Sequence, residues 1–150
     1  MRPRGALVEH VTDEAWDEVF SANLKGVVNV TRAAVPFLTS TSTSSITSRS
    51  ITNIVSISAL RGALLQSVYC AAQFGIVGFS KSVAMELEPR GVRVNVVCLE
   101  TSMDDGVARD RAAVVERGSD ALGKLGTPGE AVEVVLGLMA EGSRGVEESR

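Results

Sequence analysis

Apolar residues recur along this chain with two different periods, and the change of period marks out its elements. Trp16, Phe20, Asn23, Val27, Val30 and Ala34 fall at three- and four-residue spacings and so share one helical stripe. Thr12-Asp13-Glu14 supplies the start: the threonine hydroxyl can accept from orphan backbone N–H groups, and the two acids face the positive end of the helix dipole. The pattern predicts a helix from residue 12 to about Val35, stopped by Pro36, which disfavours helical geometry in the residue before it. One member of the stripe, Asn23, is polar. Thr39 to Ser50 is almost wholly Thr and Ser and predicts a surface loop.

In Ile51 to Ser58 the apolar Ile54, Val55 and Ile57 are nearly continuous, as in a strand buried on both faces of a parallel sheet. Tyr69 to about Glu88 then carries Phe74, Val77, Val83, Ala84 and Leu87 at helical spacing before Pro89 and Gly91 break it. Val92 to Leu99 is a second buried strand. Strand, long helix and strand make one crossover unit, so the expected class is α/β. Residues 104–124 are polar, with a short helix expected over Arg109–Arg117 and turns at Gly118, Gly123 and Gly126. Gly129-Glu130-Ala131 opens a last helix through Val132, Val135, Leu136 and Met139, and residues 142–150 read as a frayed tail.

Composition narrows the partners. The 150 residues suit one domain, and 45% hydrophobic with 22% charged residues suits a chain that buries a core. A net charge of -3 gives no basic field, which argues against nucleic acid and anionic membrane surfaces and for small molecules or protein. After Met1-Arg2-Pro3-Arg4 only Gly5 to Val8 precede Glu9 and His10, so no secretory apolar region is expected, nor any run long enough to span a membrane. Cys70 and Cys98 have no metal-ligand spacing and read as buried thiols, which fits a reducing, cytoplasmic setting. His10 reads as a loop residue, and Asp104-Asp105 and Glu147-Glu148 as solvated charges.

Three residues could carry chemistry: Asn23, Ser56 and Tyr69. Each has an ordinary structural reading, as a satisfied helix amide, a strand-ending serine and a helix-starting tyrosine. Their arrangement is more specific. In open parallel sheets the ligand crevice borders the carboxyl ends of strands, where Ser56 would sit and Tyr69 would begin the next helix. A hydroxyl beside a phenol can polarise a carbonyl and give it a proton.

Asn53-Ile54-Val55-Ser56, Tyr69 thirteen residues after Ser56, Gly78 to Leu87, and Gly91-Val92-Arg93-Val94-Asn95 together resemble the central stretch of short-chain dehydrogenases/reductases. Trp16 to Val19 through Asn23-Leu24-Lys25-Gly26-Val27 is similar to that family's helix with its catalytic Asn, and Leu122 to Glu130 to its late turn into a helix. The likeness runs over about residues 5–140, to the C-terminal portion of a FabG-like or carbonyl-reductase-like member. It implies an incomplete Rossmann-like, doubly wound parallel sheet lacking the N-terminal nucleotide-binding strands, as a single partial domain. It also implies NAD or NADP as cofactor and a small-molecule carbonyl or alcohol as substrate. Ser56 would polarise the substrate, Tyr69 act as acid or base, and Asn23 support a water-linked proton relay.

The pattern departs from the family at three places. Four residues after Tyr69, where the resemblance expects a lysine that binds the cofactor ribose and tunes the tyrosine, stands Gln73. That position shares a helix face with Tyr69, and a unit charge roughly 4 Å away at an effective dielectric near 20 is worth about 4 kcal/mol to a phenolate. Gln73 keeps hydrogen bonding without the charge, so alcohol oxidation would suffer most. Val96 to Met103 reads as if about three residues were missing, with Thr101 at the position of a nicotinamide-contacting Thr. Finally, none of the 14 glycines forms the Gly-x-Gly-x-x-Gly turn a pyrophosphate needs. The expectation is therefore a chain of oxidoreductase type that is inactive as it stands. The alternative is a non-catalytic interaction protein or truncated product that assembles with itself or with a full-length relative through residues 12–35 and 69–88.

Overall fold

The structure, a computed structural model, describes residues 5–40, 48–104, 107–115, 122–125 and 128–140. After a single 3-10 turn at Val8–His10, helix α1 spans Asp13–Phe20 and α2 spans Gly26–Leu38, joined without a break by a π-helical segment, Ser21–Lys25. Strand β1 covers Arg49–Ser56, α3 Ser67–Leu87, β2 Val92–Asp104, β3 Val107–Val115, β4 Leu122–Leu125, and α4 Pro128–Met139. The sheet order is β1-β2-β3-β4. β1 and β2 are parallel, in register from Arg49 opposite Val92 to Ser56 opposite Leu99, and β3 and β4 add antiparallel strands beyond β2. The class is α/β, built on the β1–α3–β2 crossover.

Thr12 caps α1 by accepting the Ala15 N–H at 3.2 Å. The helix passes Pro36, contrary to the expected stop at Val35, and ends at Leu38. Pro36 lies in the last turn, where its ring removes a bond close to an end that frays in any case. The π segment also changes which face is buried. Residues Val19 and Thr31 are buried, whereas the expected stripe members Trp16 and Val30 are 44% and 70% exposed. A π turn takes up more residues than an α turn, so a stripe drawn at constant period drifts off the core side. Trp16 instead stacks on Phe20, ring centroids 4.2 Å apart.

α3 packs against one face of the sheet. Ile76 and Val77 meet Val55, Val96 and Cys98, while Val83, Ala84 and Leu87 meet Val92 and Val94. Phe74, expected in that core, is 47% exposed. α4 covers part of the other face, with Leu138, Val134 and Val135 against Val97 and Leu99. Arg93 fastens its end by donating to the Leu138 carbonyl at 2.7 Å. β1 is an edge strand among the described residues, and Ile54 is 56% exposed rather than buried on both faces. The expectation of two-sided burial holds for β2 alone: α4 reaches across β1, β2 and β3, yet Ile54 near the end of β1 stays uncovered. Gly91 has φ of 72°, a left-handed turn that lets the chain leave the 3-10 turn Glu88–Arg90 for β2.

The expected helix over Arg109–Arg117 is replaced by strand β3, and Gly123 lies within β4 rather than in a turn. The polar segment has no strong period of its own, and pairing with Val96 to Asp104 of β2 decides its conformation. Gly118, Gly126, residues 41–47 of the Ser/Thr-rich segment and residues 142–150 lie outside the described residues.

Candidate functional site

The C-terminal end of β1 runs into a 3-10 turn, Ile57–Ala59, and α3 begins eight residues later at Ser67. This places the strand end and the first two turns of α3 around one cleft of about 530 Å³. Asn23, Ser56, Tyr69 and Gln73 all line it. Its wall also includes Ser58, Arg61 and Gln66, which sequence reasoning did not single out. All three lie in the segment following a parallel strand's carboxyl end, so their position was a usable signal even though no motif marks them.

Each side chain is held locally. Asn23 donates from Nδ2 to the Val19 carbonyl at 2.8 Å, one of the carbonyls next to the π segment. At Gly75 of α3 a Cβ would stand 2.9 Å from Leu24 Cδ2, the end of a side chain that would have to shift, so the glycine gives Leu24 of that segment room against α3. Ser56 Oγ accepts the Ser58 N–H at 3.2 Å and lies 3.3 Å from the Ser58 hydroxyl. The Ser56 N–H donates to Gln73 Oε1 at 2.8 Å. Tyr69 is half-buried and packs beside Val19, Val68 and Ala72.

Arg61 is the one charged side chain among the described residues of the wall. The remaining donors and acceptors are neutral hydroxyls and amides, suited to a neutral carbonyl or hydroxyl ligand. Cys98, in β2 on the α3 side, is a free, fully buried thiol pushed up to about 11 by burial. It has no thiolate to offer at neutral pH. Cys70 is likewise free and buried.

The structure does not place every candidate. Thr101 lies in β2 opposite Asp110, but its side chain is outside the described part, so its contact with a nicotinamide stays an expectation. The residues present do not fit a whole nicotinamide dinucleotide site. At the position the resemblance gives to a ribose-binding lysine, a buried neutral amide, 4% exposed, holds the end of β1. No Gly-x-Gly-x-x-Gly occurs in the 150 residues.

A parallel strand–helix–strand unit that gathers a serine, a phenol and a carboxamide at a strand's carboxyl end defines an α/β protein with a cleft where open parallel sheets take their ligands. The chain belongs to the short-chain dehydrogenase/reductase family: residues 1–148 match the family model described as enoyl-(acyl carrier protein) reductase. It is 34% identical over 143 residues to the 3-oxoacyl-(acyl-carrier-protein) reductase of Thermotoga maritima, covering 93% of this chain and 56% of that protein. To the (3R)-3-hydroxyacyl-CoA dehydrogenase of Homo sapiens it is 34% identical over 139 residues, covering 89% and 51%. Among solved structures it is similar to 3-ketoacyl-(acyl-carrier-protein) reductase from Brucella melitensis complexed with NADH, with a TM-score of 0.62 and 25% identity over 67% of this chain and 41% of that chain. Carveol dehydrogenase from Mycobacterium avium in complex with NAD gives 0.58 and 27% over 64% and 33%. The chain spans about half the length of the curated relatives it matches.

Proposed function

We propose that residues 1–150 form the substrate side of an NAD(P)-dependent oxidoreductase that reduces carbonyls or oxidises secondary alcohols, as one partial domain that does not turn over by itself. The observation that supports this is the gathering of Asn23, Ser56 and Tyr69 in one cleft at the end of β1. In this reading the Ser56 hydroxyl donates to the substrate oxygen and polarises it, Tyr69 supplies the proton, and Asn23 holds a water that replenishes it. The names of the relatives favour a 3-oxoacyl or 3-hydroxyacyl thioester as the substrate class. A hydride donor, NAD(P)H, would have to be held by residues other than these.

Two measurements test the proposal. Calorimetric titration of the 150-residue protein with NADH and NADPH is expected to show no saturable binding, and micromolar affinity for either would overturn the inactive reading. Titration with a 3-hydroxyacyl thioester is expected to move the NMR signals of Ser56 and Tyr69, with weaker binding in Tyr69→Phe. Shifts confined to other residues would remove the cleft as a substrate site.

A second reading has its own support. Val30 and Phe37 of α2 and Phe74 and Met85 of α3, two helices that pack together, leave large apolar side chains 70%, 78%, 47% and 75% exposed. They favour an interaction protein that assembles with itself or a full-length relative. Sedimentation equilibrium showing a monomer at all concentrations would count against it.

A further inference from the structure

Gln73 stands where the family pattern calls for a lysine, and the structure shows what it does instead. It is 4% exposed, one turn of α3 beyond Tyr69, and its Oε1 lies 2.8 Å from the Ser56 nitrogen. A backbone N–H can only donate, so the amide oxygen must face Ser56 and the amide nitrogen must lie at the other end of the group. That settles the orientation of a side chain whose two ends are otherwise alike. A second bond is made by the same serine. Ser56 is the last residue of β1, and its Oγ in turn accepts the Ser58 N–H at 3.2 Å where the chain turns away from the sheet.

We propose that Gln73 is a positioning residue: its carbonyl fixes the Ser56 backbone at the end of β1, setting the Ser56 hydroxyl in the cleft, and it leaves a neutral NH2 as the donor on that wall. A lysine has no acceptor. Restoring the family residue would therefore leave the Ser56 N–H without its partner and loosen the cleft instead of repairing it. The inference deepens the oxidoreductase reading by naming how the substrate-polarising serine is held, but its test does not use turnover.

The test is amide hydrogen exchange at Ser56, resolved by NMR, in the unchanged protein and in Gln73→Glu, Gln73→Leu and Gln73→Lys. Glutamate keeps an acceptor, leucine keeps apolar bulk, and lysine keeps length with a donor alone. In the unchanged protein the Ser56 N–H is expected to exchange well below the rate of an unstructured peptide. Leu and Lys variants are expected to speed it about ten-fold, the equivalent of one lost buried hydrogen bond, while Glu retains the protection. A role in packing alone predicts the opposite order, with Leu protected and Glu not, and that result overturns the proposal. Free exchange of Ser56 in the unchanged protein also overturns it, and needs no variant to fold. Failure of the oxidoreductase reading would leave all of these rates where they are.

Discussion

The two faces of the sheet are built differently. On the α3 side, a 21-residue helix with ten buried positions presses on Val55, Val92, Val94, Val96 and Cys98, and a polar bridge ties it to β1: Asn53 Nδ2 donates to Ser80 Oγ at 2.8 Å, and Ser80 Oγ donates to the Ile76 carbonyl at 2.7 Å. On the α4 side, Val97 and Leu138 are the buried apolar pair, and Ile54 is more than half exposed. Strand alternation turns Thr52 and Asn95, directly opposite each other in register, to that side, and their Oγ1 and Nδ2 are buried without a hydrogen-bond partner. The lesson is that stability and the cleft both come from the α3 side, whereas the α4 side is only partly clad.

The largest test of this difference is a pair of truncations. Leu87→Ala, at the last residue of α3 and 2% exposed, is expected to cost about 2–5 kcal/mol by urea unfolding, the range for leucines in packed cores. Leu138→Ala, at 7% exposure under α4, is expected to fall at or below the low end, near 2 kcal/mol, because its surroundings are thinner and can close on the gap. Equal losses would break the comparison.

Cys98 gives the α3 face a signature in pH. Burial raises its thiol from 9.0 to about 11, so the folded state holds the proton more tightly than the unfolded one. The resulting stabilisation is complete below pH 9 and is lost as the pH rises through about 11. The urea midpoint is expected to fall between those values, and Cys98→Ala is expected to flatten the fall. A midpoint unchanged by the substitution across that range would show that the thiol is not the cause.

Adjacent residues of β1 make a finer test, since they point to opposite faces. Asn53→Ala removes the bond to Ser80 and is expected to destabilise by about 1 kcal/mol. Thr52→Val removes a buried hydroxyl that has no partner, and is expected to stabilise by up to about 1 kcal/mol. The opposite signs are the point, and two changes of the same sign would erase the contrast.

How much of this was visible in the sequence follows the same division. β1, α3 and β2 could be read because their own residues set the period: Ile54, Val55 and Ile57 run together, and the α3 helix has clear breakers in Pro89 and Gly91. That Ser56 and Tyr69 line one cleft follows from a strand end leading into a helix start, and Asn23 stands out in the sequence as the polar member of an apolar stripe. What escaped reading depends on tertiary context. The π segment at Ser21–Lys25 shifts the buried face to Val19 and Thr31, and nothing in a regular helical count announces it. β3 is a strand because β2 offers it an edge, not because Arg109-Asp110-Arg111 prefers extension. The bond from Gln73 to Ser56 joins two elements 17 residues apart, a separation with no period in either.

The smallest expected effect on stability comes from the exposed edge. Ile54 is 56% exposed on an eight-residue edge strand, while the opposite edge, β4, is four residues long and includes Lys124. Short edges resist pairing with another chain, and longer open ones invite it. The isolated chain is therefore expected to self-associate through β1, so that its unfolding transition shifts with protein concentration. Ile54→Lys should leave the monomer's stability within about 0.5 kcal/mol, as surface substitutions do, yet weaken the association measured by sedimentation. Lys124→Ile at the short edge should leave it nearly unchanged. A sharp, concentration-independent transition of a monomer would show that the open edge is tolerated. The exposed apolar residues of α2 and α3 would then be the next surface to test, by the same measurement on Phe37→Lys.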